Sequence, residues 1–394
     1  MSQIENSVSS INLKDKSVLL RVDFNVPLKG NELLDDERLV RALPTIEFIA
    51  DNAKSLKIIS HLGRPEETGL VQDKFSLKPV AKKLGELLNK EVKLVNSIKE
   101  LKSLENISML ENIRFYKGEK QNEEKLSKAL ADSADVFVMD AFGTAHRKQA
   151  STYGVTSFIK EACVGFLVEE ELKALERIID SPEKPLLGII GGSKISTKMK
   201  VLESLIKHVD HLIIGGALAN TCLKALGKNI GKSLYEEDYI ELAKTIIKNK
   251  KIILPFYVVV TKGRDSALEE KHIDLVDDDD IIFDVGQTSI EDFSQHINSA
   301  KTIIWNGPMG YFEEERFAQG TAGIAIKISE SKGYSIIGGG ETLASFSNLN
   351  MMDCVDYAST AGGAFLEYIE LGTLPCIEAI KNKNKGIYIC HCHR

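Results

Sequence analysis

At 394 residues, 43% of them hydrophobic, the chain is long enough for two or three domains with cores of their own. A net charge of -7 excludes a generally basic nucleic-acid binder, so any cations that matter act locally. Six cysteines scattered over this length make no disulfide scaffold. No window approaches the ~18 apolar residues of a membrane span, and the polar opening MSQIENSVSS has no signal-peptide core, so a cytoplasmic protein is expected.

In chain order, short apolar runs alternate with segments of helical period, the pattern of parallel sheets with helices on both faces. The first half holds SVLLRVDFN (17–25), LKIISHLGR (56–64), ISMLENIRF (107–115) and VFVMDAFGTAHR (136–147), runs that end in basic or polar residues. Between them KPVAKKLGELLNK carries a helical stripe at Val80, Leu84, Leu87 and Leu88. EEELKALERIIDSPEKP (169–185) reads as a charged helix running into a turn with two prolines, and is the expected connector between domains. The second half holds LLGIIGGSK (186–194), HLIIGGA (211–217), TIIWNGPMG (302–310) and YSIIGGGE (334–341), runs that end in glycines. A stripe at Met199, Leu202, Leu205 and Ile206 predicts a helix with Ser196 as N-cap, and ALANTCLKALG predicts another stopped by Gly227. The run of four aspartates at 277–280 is expected to be a solvated loop.

Ligands of open α/β sheets sit beyond the carboxyl ends of the strands. The first half therefore presents cations to a small anion. Asp23 and Asn25 can fix the hydroxyl and carboxylate of an acid; His61 and Arg64 flank a glycine that turns the HLGRP loop; Arg114 and Arg147 bring forks suited to carboxylate and phosphate. Taken alone, Arg38 after DDE is a salt-bridged surface residue. The second half presents bare backbone. Lys194 and Lys198 straddle a helix start, where N–H groups and lysines attract phosphate. Gly215 and Gly216 leave room for a flat ring, Gly338, Gly339 and Gly340 can follow a phosphate chain, and Glu313 can accept from ribose hydroxyls. Glu341 is a candidate Mg²⁺ partner, since that ion takes one or two carboxylates plus phosphate oxygens. Two facing anions imply phosphoryl transfer. GKNIGKS (227–233) lacks the G-x-x-x-x-G-K-[ST] spacing, and no G-x-G-x-x-G follows an early strand, which lowers the case for a Walker NTPase or a nicotinamide dehydrogenase.

RVDFNVP, SHLGRP, LENIRF, DAFGTAHR, STYGV, GGSKIS, GGALANT, WNGPMGYFE and GGGET together resemble the motifs of the phosphoglycerate kinases, in that family's order and over nearly the whole length. The resemblance implies two Rossmann-like α/β lobes, each a parallel sheet flanked by helices, joined by a hinge helix. A phosphoglycerate-binding lobe (1–170), with a tail at about 376–394 packing back on it, would precede a nucleotide-binding lobe (171–375) that includes the connector. The implied activity is a glycolytic and gluconeogenic one: reversible transfer of the acyl phosphoryl group of 1,3-bisphosphoglycerate to MgADP, giving 3-phosphoglycerate and ATP. The implied protein is a cytoplasmic monomer that closes about its connector and has no nucleic-acid or membrane partner. Carried over by motif, Asp23, Asn25, Arg38, His61, Leu62, Gly63, Arg64, Arg114 and Arg147 hold the phosphoglycerate. Lys198, Gly215, Gly216, Asn306, Glu313, Gly338, Gly339, Gly340, Glu341 and Thr342 hold the nucleotide, with Glu341 toward Mg²⁺. Arg38, Lys194 and Lys198 act on the group in flight.

Three departures stand out. The family's GGGDT aspartate is Glu341, the first glycine of its STGGGA is Ala361, and its LPG ending is LPC with Cys376, followed by a tail carrying Cys390, His391, Cys392 and His393 in a spacing that is not a zinc pattern. Two other readings stay open from sequence. A kinase of carbamoyl or acetyl phosphate needs fewer arginines than are present. A binding-only relic would have lost its chemistry at Glu341 and Ala361.

Overall fold

A computed structural model describes residues 6–30, 32–179, 181–263 and 266–384. The chain divides into two units, one of residues up to Lys173 and from Thr373 onward, the other of Ala174–Gly372.

The first unit contains strands β1 (Ser17–Val22), β2 (Leu28–Lys29), β3 (Glu32–Leu33), β4 (Ser55–Ile59), β5 (Lys93–Val95), β6 (Ile107–Leu110), β7 (Val136–Asp140) and β8 (Glu161–Val164). Its helices are α1 (Glu37–Asn52), α2 (Lys78–Leu88), α3 (Ile98–Ser103), α4 (Glu124–Ala131) and the start of α5 (Phe166–Ile179). Six strands form a parallel sheet in the order β5-β6-β4-β1-β7-β8. The four apolar runs of the first half are thus its four central strands. They read as continuous hydrophobic runs because helices cover both faces. On one face Val18, Leu20 and Val22 share a core with Leu39, Ile46 and Ile49 of α1 and with Val80 and Leu84 of α2.

The second unit contains β9 (Leu186–Ile190), β10 (His211–Ile214), β11 (Ile252–Ile253), β12 (Tyr257–Thr261), β13 (Glu269–His272), β14 (Ile281–Val285), β15 (Thr302–Asn306), β16 (Tyr334–Gly338) and β17 (Tyr357–Ser359). The helices are α6 (Met199–His208), α7 (Gly216–Ala225), α8 (Ile240–Ile246), α9 (Gln287–Ser299), α10 (Gln319–Glu330), α11 (Gly340–Asn348) and α12 (Gly363–Leu371). Its main sheet is also parallel, in the order β11-β10-β9-β15-β16-β17, and the four glycine-ended runs are again the central strands. A separate antiparallel sheet, β13-β12-β14, was not anticipated from the alternation of apolar runs. Its edge strand EEKH is polar and half exposed, so hydrophobic periodicity does not mark it.

Two local expectations are corrected. Ser196 does not cap α6: its N–H and hydroxyl both donate to the Glu236 carboxylate, at 2.9 and 2.5 Å, and the cap position falls to Lys198. The aspartate run is not wholly solvated. Asp280 is buried and accepts from Lys271 at 2.8 Å, while Lys262 and Lys271 neutralise Asp277 and Asp279 around it.

The expected connector is α5, which begins at Phe166, and the boundary between units falls inside it. A last helix, α13 (Pro375–Asn384), packs on β8 and on the turn Gly154–Ser157 of the first unit. Cys390, His391, Cys392 and His393 lie outside the described residues. Among the described residues no helix is long and apolar enough to cross a membrane.

Candidate active site

In the first unit the carboxyl ends of β1, β4, β6 and β7 gather a dense cluster of cations. Arg38, in the first turn of α1, pairs with Asp23 just past β1 at 2.7 Å. His61 follows β4, is buried, and lies 3.7 Å from the other Asp23 oxygen. Arg21 Nη2 approaches His61 Nδ1 at 3.3 Å. A guanidinium can only donate, so Nδ1 accepts and the ring is neutral. The electrostatics agree. Burial first, then the charges of Arg21, Arg114 and Arg147, press the His61 pKa well below its usual value. Burial works against the Asp23 carboxylate, and the charges of Arg38 and Arg21 with the N–H of Asn25 work for it.

The HLGR loop is held from three sides. Asn25 Oδ1 accepts from Gly63 N at 2.8 Å, Asn112 Nδ2 donates to Leu62 O at 2.7 Å, and Arg114 Nη1 donates to Gly63 O. Gly63 has φ +61°, and a Cβ there would meet the Phe75 ring at 2.5 Å, so the turn requires glycine. Arg114, after β6, has its pKa lowered to about 10, by burial and then by repulsion from Arg147 and Arg21. Arg147 completes the group from the loop after β7, its Nε donating to His146 Nε2 at 3.2 Å.

Two residues fall outside this picture. Arg64 is exposed, and none of these contacts or electrostatic couplings includes it. Leu62 is buried in the core, with its carbonyl already taken by Asn112. Arg21, which no strand-end position marks, belongs to the cluster as well. Arg21 is only 1% exposed, and its Nε donates to Ser151 Oγ at 3.1 Å, which in turn donates to the buried Glu119 at 2.6 Å. The signal was present: a cation inside the apolar run SVLLRV must find a partner or a task.

The second unit builds its site from turns. Gly191 N donates to Asn306 O, Gly216 N to Met309 O and Gly307 N to Thr342 Oγ1, all at 2.7–2.9 Å, so the ends of β9, β10, β15 and β16 are stapled together. Gly216 has φ +64°, and a Cβ on it would lie 2.7 Å from the Gly192 carbonyl. Lys198 is half-buried here. Its Nζ donates to Gly191 O at 2.6 Å and to Asn306 Oδ1 at 2.7 Å, while Asn306 Nδ2 donates to Gly338 O at 2.7 Å. Burial lowers the Lys198 pKa to about 8, against the opposing pull of Glu341. Lys194 is exposed.

Beside these turns lies a cavity of about 190 Å³. Leu234, Pro255, Phe283 and Met309 give it apolar walls, and Gly192, Ser193, Gly216 and Ala217 a wall of small residues; Glu313 reaches it from the loop after β15 and Glu341 from the first turn of α11. Gly215 is not on the cavity; it packs against Met309 behind it. Nor are Asn306, Gly338, Gly339, Gly340 and Thr342 among its walls: they form the turns and the α11 N-terminus nearby. An apolar slot that opens onto glycine turns, a lysine and a helix N-terminus is suited to a base at one end and phosphates at the other.

A model of the family described as phosphoglycerate kinase matches residues 8–371. The chain belongs to the phosphoglycerate kinase family. A phosphoglycerate kinase of Coxiella burnetii is 45% identical over 387 residues, covering 96% of this chain and 99% of that one. A second, from Francisella philomiragia, is 45% identical over 388 residues, covering 96% and 98%. Among solved structures, the phosphoglycerate kinase of Coxiella burnetii aligns with a TM-score of 0.90 at 46% identity, and that of Pyrococcus horikoshii with 0.82 at 29%, each over 96% of this chain and 99% of its own. Family membership gives the reaction: reversible phosphoryl transfer between the acyl phosphate of 1,3-bisphosphoglycerate and ADP, a step of glycolysis.

Against the family pattern, Ala361 is accommodated without strain. It is not among the residues with positive φ, and its N–H donates inward to Ser359 Oγ at 3.3 Å, so its methyl replaces a glycine hydrogen where no left-handed backbone is needed. The glutamate at position 341 keeps a carboxylate on the cavity wall, exposed and in the first turn of α11.

Proposed function

We propose that the cation cluster of the first unit holds the phosphoglycerate and the cavity of the second holds the nucleotide. The observation that carries this is the crowding of Arg21, Arg114 and Arg147 at the strand ends: Arg147 and Arg21 press down the pKa of Arg114, and all three press down that of His61. Mutual repulsion of buried cations is costly until an anion arrives to relieve it. Asp23 and Asn25 orient the hydroxyl and carboxylate of the acid. Arg38, His61, Arg64, Arg114 and Arg147 meet its charges, with Arg64 swinging in from solvent. In the other unit Gly216 backs the adenine, Glu313 takes the ribose, and Lys198, Asn306 and the turn 338–342 take the phosphates.

Mg²⁺ fits the residues present. Glu341 is a single exposed carboxylate at the phosphate end of the cavity, and Mg²⁺ characteristically combines one or two carboxylates with phosphate oxygens and water. When bound there, the ion would neutralise phosphate charge. The acyl phosphate is an activated donor, so no protein nucleophile is needed. Arg38, Lys194 and Lys198 align the group in flight and neutralise its oxygens. The protein works as a cytoplasmic monomer, with neither nucleic acid nor membrane as partner.

Arg114→Ala is the direct test of the anion site. The KM for 3-phosphoglycerate should rise at least about tenfold, the scale of one charged hydrogen bond lost, while the KM for ATP stays within twofold. An unchanged KM for 3-phosphoglycerate would remove Arg114 from the site. Transfer also requires the two ligands to meet, so small-angle scattering should report compaction when both are added. Identical profiles with and without them would count against closure about the connector.

A further inference from the structure

Asp284, the fourth residue of β14, is a buried acid on the wall of the second unit's cavity that the reaction above does not use. Its Oδ2 accepts from Gly320 N, in the first turn of α10, at 2.6 Å, and its Oδ1 from Val285 N at 2.9 Å. Gly310 and Gly320 press so closely on the carboxyl group that a Cβ on either would collide with it. Around this point Tyr311 N donates to Phe283 O at 2.8 Å, and Met309 N to Thr321 Oγ1 at 3.0 Å. The loop that walls the cavity at residues 308–311 is therefore fastened to β14 and α10 with one carboxylate at the centre.

Resting on the assignment of this cavity to the nucleotide, we propose that Asp284 is a positioning residue for nucleoside binding, its ionised carboxylate tying the start of α10 to β14, the two elements to which the loop 308–311 is fastened, so that the cavity keeps its shape. Protonation replaces an anionic acceptor by a neutral one, weakens the bond from Gly320, and loosens that wall. Burial, opposed by the two backbone donors, brings the Asp284 pKa to about 7, so the change falls in the neutral range. No other charge contributes to the shift. The ionisable groups on the same cavity are Tyr311, Glu313 and Glu341; β12 brings Val258–Val260 beside Asp284, α7 brings Asn220, and the first turn of α10 is uncharged.

The test is the Kd for ADP of wild type and Asp284→Asn by calorimetry at pH 8 and pH 6, with Ala217→Trp as a cavity-filling control. The phosphate titration of ADP is common to all and cancels in the ratio of variant to wild type. Asp284→Asn should bind ADP about tenfold more weakly than wild type at pH 8, as for one charged hydrogen bond. At pH 6 the ratio should shrink to about threefold or less, because the wild-type group is itself largely protonated there. The KM for 3-phosphoglycerate should stay within twofold at both. A ratio below two at pH 8 while Ala217→Trp weakens binding would overturn the role of Asp284 and leave the cavity assignment standing. An equal loss at both pH values would reduce Asp284 to a structural residue and overturn the proposal. No effect from either variant would overturn the cavity assignment and the proposal with it. Should Asp284→Asn fail to fold, judged by the emission of Trp305, the only tryptophan, hydrogen exchange of wild type decides. After correction for intrinsic rates, residues 308–321 should exchange faster at pH 6 than at pH 8, and equal rates would overturn the proposal.

Discussion

Lys198→Ala is expected to lower kcat/KM for the nucleotide by about 10²–10³, the ~3–4 kcal/mol typical of removing one preorganised charge from a transition state. The half-buried ammonium is the only side-chain cation bonded into the turns at Gly191 and Asn306 among the described residues, so no neighbour is placed to substitute for it. The pH profile of wild type gives a second check. With the free-protein pKa lowered to about 8, the charged form is present below pH 8 and is lost as pH rises through it. Because kcat/KM reports the free enzyme, it should fall above pH 8, whereas kcat, measured with phosphate charge already bound beside the lysine, should hold to higher pH. Stability moves the other way. Between pH 8 and the unfolded value near 10.5 the unfolded chain binds the extra proton, so the contribution of this group to folding becomes more favourable as pH rises. A loss of activity above pH 8 that tracked unfolding would refute the assignment.

Arg38→Ala is expected to cost about as much in kcat, again ~10²–10³, for a different reason. Arg38 is about one-third exposed and pairs with Asp23 at the surface of the cation cluster, so its loss should change stability by less than about 1 kcal/mol. Asp23 keeps Arg21 nearby and is not stranded. Arg38→Lys should recover little, because an ammonium cannot present two parallel donors to a phosphoryl group. The measurements are kcat, KM for 3-phosphoglycerate and Tm on all three proteins. A Tm drop matching the loss of activity, or full rescue by lysine, would exclude a direct role in transfer.

The central strands of both sheets were legible because each is an apolar run broken by a change of residue type at its carboxyl end, where the ligand-facing residues stand. The edge strands β5, β11 and β17, two or three residues long, carry too little pattern to register. The antiparallel sheet hid behind the polar strand at 269–272. In the sites, residues that follow strands were readable, whereas charged residues within strands were passed over. Arg21 in SVLLRV and Asp284 in IIFDV occupy strand interiors, and only the packing around them reveals that each faces something polar. Arg64 and Gly215 show the converse. The exposure of the Arg64 side chain and the packing of Gly215 against Met309 are outcomes of packing that spacing cannot supply.

The return of α13 to the first unit bears on how the molecule is made. Every strand of the second unit lies between Leu186 and Ser359, so that unit is fully synthesised while the first still lacks the helix that covers β8. The usual vectorial order, in which the N-terminal domain matures first, is therefore altered: β8 is made long before the helix that covers it, and the second unit is made in between.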